Sequence, residues 1–323
     1  MYKKLLFCLL ASSIYATVNE PLRWQLSSGY RNDRIHWHLQ NPGDESAIFY
    51  TELYRNVQFW ENSLTLRVIS RDLMFFLRGS YGAFGRGELS QHYEGLAITQ
   101  DQPQFEFDTS GWSADGSGYF GYAVNLTDGR TYKVILTPLI GYSGHFEQLS
   151  RKNPSPNPYL TNVAEGANFL TMYSSLPNQL KMAWYGLFLG VGFIIEPGDG
   201  FVFNAGYAYN WLNARTKTTF QYQADLGSPV VSSDITTYKM KAVASGNLGQ
   251  TGWAQLDYMI AKFWRMGVGA EVRYFSTQVL TTKLKSTVQE LFPDPSTVEG
   301  ELAQKFKLRW TAISGWFQIS REF

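Results

Sequence analysis

From Trp264 to Tyr274 every second residue is apolar. Trp264, Met266, Val268, Ala270, Val272 and Tyr274 alternate with Arg265, Gly267, Gly269, Glu271 and Arg273. A period of two belongs to a β-strand, whose successive side chains point to opposite faces. Here one face is continuously apolar and the other is small or charged. A closed barrel in lipid accommodates both, with hydrocarbon outside and a polar lumen inside.

The same alternation recurs along the chain. Leu22, Trp24, Leu26, Ser28 and Tyr30 form one stripe, and Leu64, Leu66 and Val68 a second. Leu73, Phe75, Leu77, Gly79 and Tyr81 follow, then Phe120, Tyr122, Val124 and Leu126. Tyr132 to Tyr142, Leu187 to Phe193, Phe201 to Trp211 and Ala254 to Ile260 repeat the pattern, and a last strand carries Ile313, Phe317 and Ile319. In that last strand the apolar phase slips between Trp310 and Ile313, which predicts a bulge, and Arg321 stands where an apolar residue is expected.

Short and long connections alternate between these strands. Ser70–Asp72, Thr127–Arg130, Glu196–Gly200 and Ala261–Phe263 are short, with turn chemistry in Asp128-Gly129 and Pro197-Gly198-Asp199-Gly200. Long loops are expected near Asn32–Ala47, Gly87–Gly118, Leu149–Gln179, Ala214–Thr237 and Gln278–Ala303. Four short and five long connections join ten strands. The fold class read from this is all-β, an antiparallel transmembrane β-barrel of about ten strands, with its short turns and both termini on the periplasmic side. A soluble two-sheet sandwich would need the Arg265, Glu271 and Arg273 face exposed and would not explain an export signal together with so many aromatic stripes.

Composition fits. Aromatic residues make up 16% of the 323 residues, which suits interfacial girdles, and many of the 29 glycines fall inside strands, where they would weaken a soluble sheet. No stretch approaches the ~20 apolar residues of a transmembrane helix. Lys3, Lys4 and the apolar run Leu5–Leu10 read as an export signal, cleaved after Ala16, leaving 17–323 as the barrel. The single cysteine, Cys8, lies within that signal, so the mature chain has no thiol to ligate metal or attack substrate. A net charge of +1 points to no nucleic-acid partner.

Ten strands enclose a narrow lumen, because about eight already fill with side chains. Arg67, Arg78, Lys133, Asp257, Arg265, Glu271 and Arg273 are expected to face it, and their mixed signs predict pairing that plugs it.

With strands and connections laid out, the chain resembles the omptins, ten-stranded outer-membrane proteases. The likeness runs through TYKVILTPLIGYSGHFEQ (131–148), LKMAWYGLFLG (180–190), FNAGYAYNWLNA (203–214) and WRMGVGAEVRY (264–274) to the final Phe323. The opening WQLSSGYRNDRIHWHL (24–39) also resembles an outer-membrane family of environmental chlamydia relatives. The omptin resemblance implies an Asp-Gln-Asp-Trp site and an Asp-x-His dyad that together activate water. Here those positions fall on Ser90-Gln91-His92-Tyr93 and near Thr218-Thr219-Phe220. Neither retains a carboxylate, and a neutral Ser90 is no general base for water. The likeness therefore implies the architecture without its catalytic residues.

No catalytic residue, cofactor or resident metal is expected. His36 and His38 lack a visible third ligand. A candidate rim site comprises Glu88, Ser90, His92 and Glu94, whose carboxylates and imidazole suit a divalent cation bridging to lipopolysaccharide phosphates. The expected protein is a monomeric outer-membrane barrel with a non-enzymatic, structural or surface-contact role. Its expected partners are outer-membrane lipids, lipopolysaccharide among them, and the barrel-assembly machinery through the last strand. A hydrolase with a non-standard site and a narrow solute channel are the alternatives.

Overall fold

The computed structural model describes residues 22–41, 44–70, 72–93, 104–127, 132–152, 179–224, 234–278, 280–290 and 296–323. The export signal and the Asp128-Gly129 turn lie outside them. Twelve strand segments follow one another: β1 (Leu22–Asn41), β2 (Asp44–Ser70), β3 (Leu73–Tyr93), β4 (Gln104–Tyr122), β5 (Val124–Asn125), β6 (Lys133–Lys152), β7 (Gln179–Gly198), β8 (Phe201–Ala224), β9 (Asp234–Ala261), β10 (Trp264–Ser276), β11 (Leu280–Glu290) and β12 (Ser296–Glu322).

They make ten staves. β5 continues β4 along β6, and β10 and β11 both lie between β9 and β12 as two halves of one stave. All pairings are antiparallel, and β1 pairs with β12 to close the barrel. The β7–β8 hairpin shows why its turn is tight. Gly198 pairs with Phe201 across Asp199 and Gly200, whose φ values are 51° and 80°. Positive φ at both central residues matches the twist of the flanking strands.

Near the short turns the outer face is apolar, and aromatic residues ring it at two levels. Tyr122, Phe201, Tyr258, Phe263 and Phe323 lie exposed near the turns, and Tyr30, Trp60, Tyr81, Trp211 and Tyr274 form the upper ring. Arg321 fits the lower ring because its guanidinium lies over two aromatics, 5.4 Å from the Trp264 ring centre and 4.7 Å from that of Phe323.

Beyond the upper ring the strands continue, and the polarity of the wall inverts. On β1, Arg23, Gln25, Ser27, Arg31 and Asp33 point inward while Leu26 and Tyr30 face out. Further along the same inward face come Ile35, Trp37 and Leu39, all fully buried, with Arg34 exposed on the other. On β12, inward Ser314, Gln318 and Ser320 give way to Phe306, Leu308, Trp310 and Ala312. The buried apolar side chains of the upper strands join in one cluster that includes Phe59, Leu89, Leu149, Met182, Trp184 and Phe275. An apolar cap therefore fills the barrel where water surrounds it, and polar groups fill it where lipid does.

This inversion corrects two expectations. Much of the sequence expected as long loops is strand, including Asn32–Asn41, Gly87–Tyr93, Gln104–Gly118 and Ala214–Ala224. Alternation continues there with apolar residues on the opposite parity. The last strand also has no bulge where the phase slips. Its pairing with β1 is unbroken from Arg23–Glu322 to Gln40–Lys305, and with β10 from Trp264–Arg321 to Ser276–Arg309. What changes between Trp310 and Ile313 is the medium outside, not the register. Bulges occur elsewhere, where β2 slips against both neighbours beside Asn56 (φ 50°) and β9 slips against β8 near Gly246 (φ 70°).

Candidate functional site

Below the cap, β1, β2, β3, β4, β6 and β10 project charges into one buried network. Arg31 donates to both oxygens of Asp33 at 2.8 and 2.7 Å, to Asp115 at 2.7 Å and to Glu61 at 3.2 Å. Arg78 bridges Glu61 and Glu271 at 3.1 and 3.2 Å, and Arg273 pairs with Asp115 and Glu271. Trp310 in the cap donates its indole N–H to Asp33 at 3.1 Å. Buried charges are costly when single, and removing one partner of such a pair costs about 3–5 kcal/mol.

His145 sits at the upper edge of this network, stacked on Trp310 with ring centres 4.2 Å apart. Its Nδ1 lies 2.8 Å from Asp115 and its Nε2 3.3 Å from Glu147. Glu147 is 3% exposed, and its Oε1 has no hydrogen-bond partner among the described residues. Asp33, His145 and Glu147 bring one ligand atom each within 4.8 Å of one another. Asp115 and His145 also line a cavity of about 120 Å³, whose wall includes Trp184, Asn210, Arg273 and Trp316. Nearer the turns, Asp257 holds Arg23 at 2.7 Å and accepts from Gln255 and Gln318.

The residues singled out by sequence fall in several places. Arg78, Glu271 and Arg273 belong to the central network, and Asp257 to the lower one. Arg67 lines a smaller void of about 40 Å³, and its Nε has no hydrogen-bond partner among the described residues. Arg265 reaches Glu322 at 3.4 Å near the turns. Lys133 is exposed at the start of β6, where the barrel ends, on the face it shares with buried Ile135, Thr137 and Leu139. In the rim set, Glu88 is exposed opposite Arg55 of β2 and Asp108 of β4, while Ser90 is buried. The His92 side chain and Glu94 lie outside the described residues. His145 and Glu147 stand two apart inside the omptin-like segment 131–148, and Arg31 and Asp33 continue the face opposite Leu22–Tyr30. That opposite parity was the available signal for them.

A closed ten-stave antiparallel barrel with aromatic rings and a charged interior is an outer-membrane β-barrel. The chain belongs to the Protochlamydia outer membrane protein family, whose model matches residues 25–319. No curated protein matches it. Among solved structures, the outer membrane protease OmpT from Escherichia coli superposes with a TM-score of 0.66 at 10% identity, over 95% of this chain and 99% of that chain. The translocator domain of the autotransporter NalP from Neisseria meningitidis gives 0.35 at 11% identity, over 100% and 95%. A Pseudomonas aeruginosa FadL homologue gives 0.31 at 10% identity, over 95% and 90%. The likeness to OmpT is one of fold.

Proposed function

We propose that this outer-membrane barrel is a non-enzymatic surface-contact protein whose upper wall binds anionic headgroups of the outer leaflet, the phosphates of lipopolysaccharide. A row of lysines carries this reading. Lys181 of β7 pairs with Lys217 of β8, Lys217 with Lys241 of β9, and Lys241 with Lys283 of β11. Lys239 and Lys285 form a further direct pair one step along, and Arg215 lies two residues from Lys217. Like charges directly opposite on a sheet destabilise it, so four in a row call for a polyanion. Lys181, Lys217, Lys239, Lys241 and Lys285 are all exposed. Lys181 lies four residues beyond Tyr185, which puts the row about 10 Å above the apolar band, level with headgroup phosphates and core sugars.

The interior supports the same reading. The cap closes the lumen above the cavity and the paired charges line its wall, which argues against a solute channel. The His145 cluster lies beneath the cap, away from any peptide outside, which argues against a protease. Assembly is proposed to run through β12, and closure of one chain on itself makes the monomer the proposed state.

The test compares wild type with a Lys217→Gln/Lys241→Gln variant in vesicles containing lipopolysaccharide or its dephosphorylated form. Each lysine near an anionic surface contributes about 1 kcal/mol, so the variant should bind the phosphorylated form at least tenfold more weakly and with less salt dependence. Equal, salt-insensitive binding of both proteins to both lipids would remove the reading.

A further inference from the structure

We propose that Asp33, His145 and Glu147 bind a divalent transition-metal ion of the zinc type inside the barrel. Three independent observations converge on this site.

The first is spacing. His145 makes two contacts with carboxylates, and they differ. The Nδ1 contact with Asp115 at 2.8 Å has the length of a charge-assisted hydrogen bond. The Nε2 contact with Glu147 at 3.3 Å is the longer and weaker of the two. It equals the edge of a tetrahedron built on metal–ligand bonds of ~2.0 Å, which is about 3.3 Å. In the metal-bound form His145 would keep its proton on Nδ1 for Asp115 and turn the Nε2 lone pair towards Glu147 and Asp33. A carboxylate behind a ligating imidazole is the usual outer partner of zinc histidines.

The second is unused ligand capacity. Glu147 Oε1 is buried and accepts no hydrogen bond among the described residues. Asp33 Oδ2 accepts from both Arg31 and Trp310, but Oδ1 accepts from Arg31 alone and keeps a lone pair. A third neutral donor would satisfy one such atom; a cation satisfies both carboxylates.

The third is charge. Asp33, Glu61, Asp115, Glu147 and Glu271 set five carboxylates against the three guanidinium groups of Arg31, Arg78 and Arg273. Counted with a neutral His145, as a metal ligand requires, these groups carry two more negative charges than positive. One divalent ion balances them. One nitrogen and two carboxylate ligands, with a fourth position left for water, suit zinc over calcium or magnesium, which prefer all-oxygen sites.

The test uses the mature full-length barrel folded in detergent, stripped with a chelator and titrated with zinc chloride, then with cobalt chloride. Wild type should take up one equivalent of zinc, and the cobalt form should show the intense visible bands of a tetrahedral nitrogen–oxygen site. Glu147→Gln keeps the side-chain volume and, among the described residues, has only His145 to lose as a partner. It should bind zinc at least 100-fold more weakly while keeping the heat-modifiable migration of a folded barrel. Lys262→Gln, in the exposed turn after β9, should bind as wild type does. If Glu147→Gln fails to fold, the cobalt spectrum and histidine coordination of the wild type decide the matter. Wild-type barrel that folds but takes up no stoichiometric zinc, with His145 carrying protons on both nitrogens, would overturn the site. So would zinc uptake unchanged in a folded Glu147→Gln barrel.

Discussion

At the scale of single residues, the upper rim carries a titration with a defined direction. His38 on β1 lies beyond the lipid-facing stripe, beside His36 and across from Lys307 on β12, with Arg309 across from His36. Burial lowers its pKa first, and the positive charges of His36, Lys307 and Arg309 lower it further, to about 4. In the unfolded chain it takes up its proton near pH 6.5. Between those values the unfolded state binds the extra proton, so the contribution of neutral His38 is complete above about pH 6.5 and is lost as pH falls towards about 4. Amide protection factors in the upper halves of β1 and β12, corrected for the intrinsic pH dependence of exchange, should therefore fall from pH 7 to pH 4.5, and His38→Gln should flatten that dependence. The same fall in both proteins would place the acid sensitivity elsewhere.

At the scale of strands, glycines decide where large lumenal side chains can lie. Trp316 of β12 is paired with Gly29 of β1 on one side and Gly269 of β10 on the other. A Cβ on Gly269 would stand 2.4 Å from the Trp316 ring. Gly79 and Gly116 face outward, where an added Cβ meets open space. Gly269→Ala should therefore cost about 1–3 kcal/mol through the displaced indole, while Gly79→Ala is near neutral or mildly stabilising. Urea unfolding of the two variants in the same detergent measures the contrast, and equal costs would show that the indole moves freely. Strands were also where sequence reading reached furthest. The outward stripes from Leu22–Tyr30 to Trp264–Tyr274 are lipid-facing walls, and the stave number follows from the turns between them. Reading stopped where the apolar residues changed parity, as at Ile35, Trp37 and Leu39, because a lipid-facing stripe ends there although the strand does not. The His145 cluster was legible only in part. Glu147 two residues on shows a shared face, but Asp33 and Asp115 join it only when β1 and β4 curve round the barrel.

For the whole molecule, cap and charge network act as two seals in series. The barrel should show no conductance steps in a planar bilayer when its insertion is verified by protection of the membrane strands from protease. Trp37→Ala and Trp310→Ala remove two of the largest buried side chains, and each should cost about 3–5 kcal/mol. The double variant should lose stability without gaining a wide pore, since Arg31, Arg78 and Arg273 still span the lumen below. Large, steady conductance from that variant would show that the cap alone holds the barrel shut.

The cap draws on the two ends of the sequence together. Ile35, Trp37 and Leu39 come from the first strand, and Phe306, Leu308, Trp310 and Ala312 from the last. Their contacts span nearly the full chain length, so they form late, when long-range closure is made. A nascent barrel held open at the β1–β12 seam thus exposes a greasy interior above the membrane plane, and the last strand extinguishes that hazard in the same movement that completes the wall.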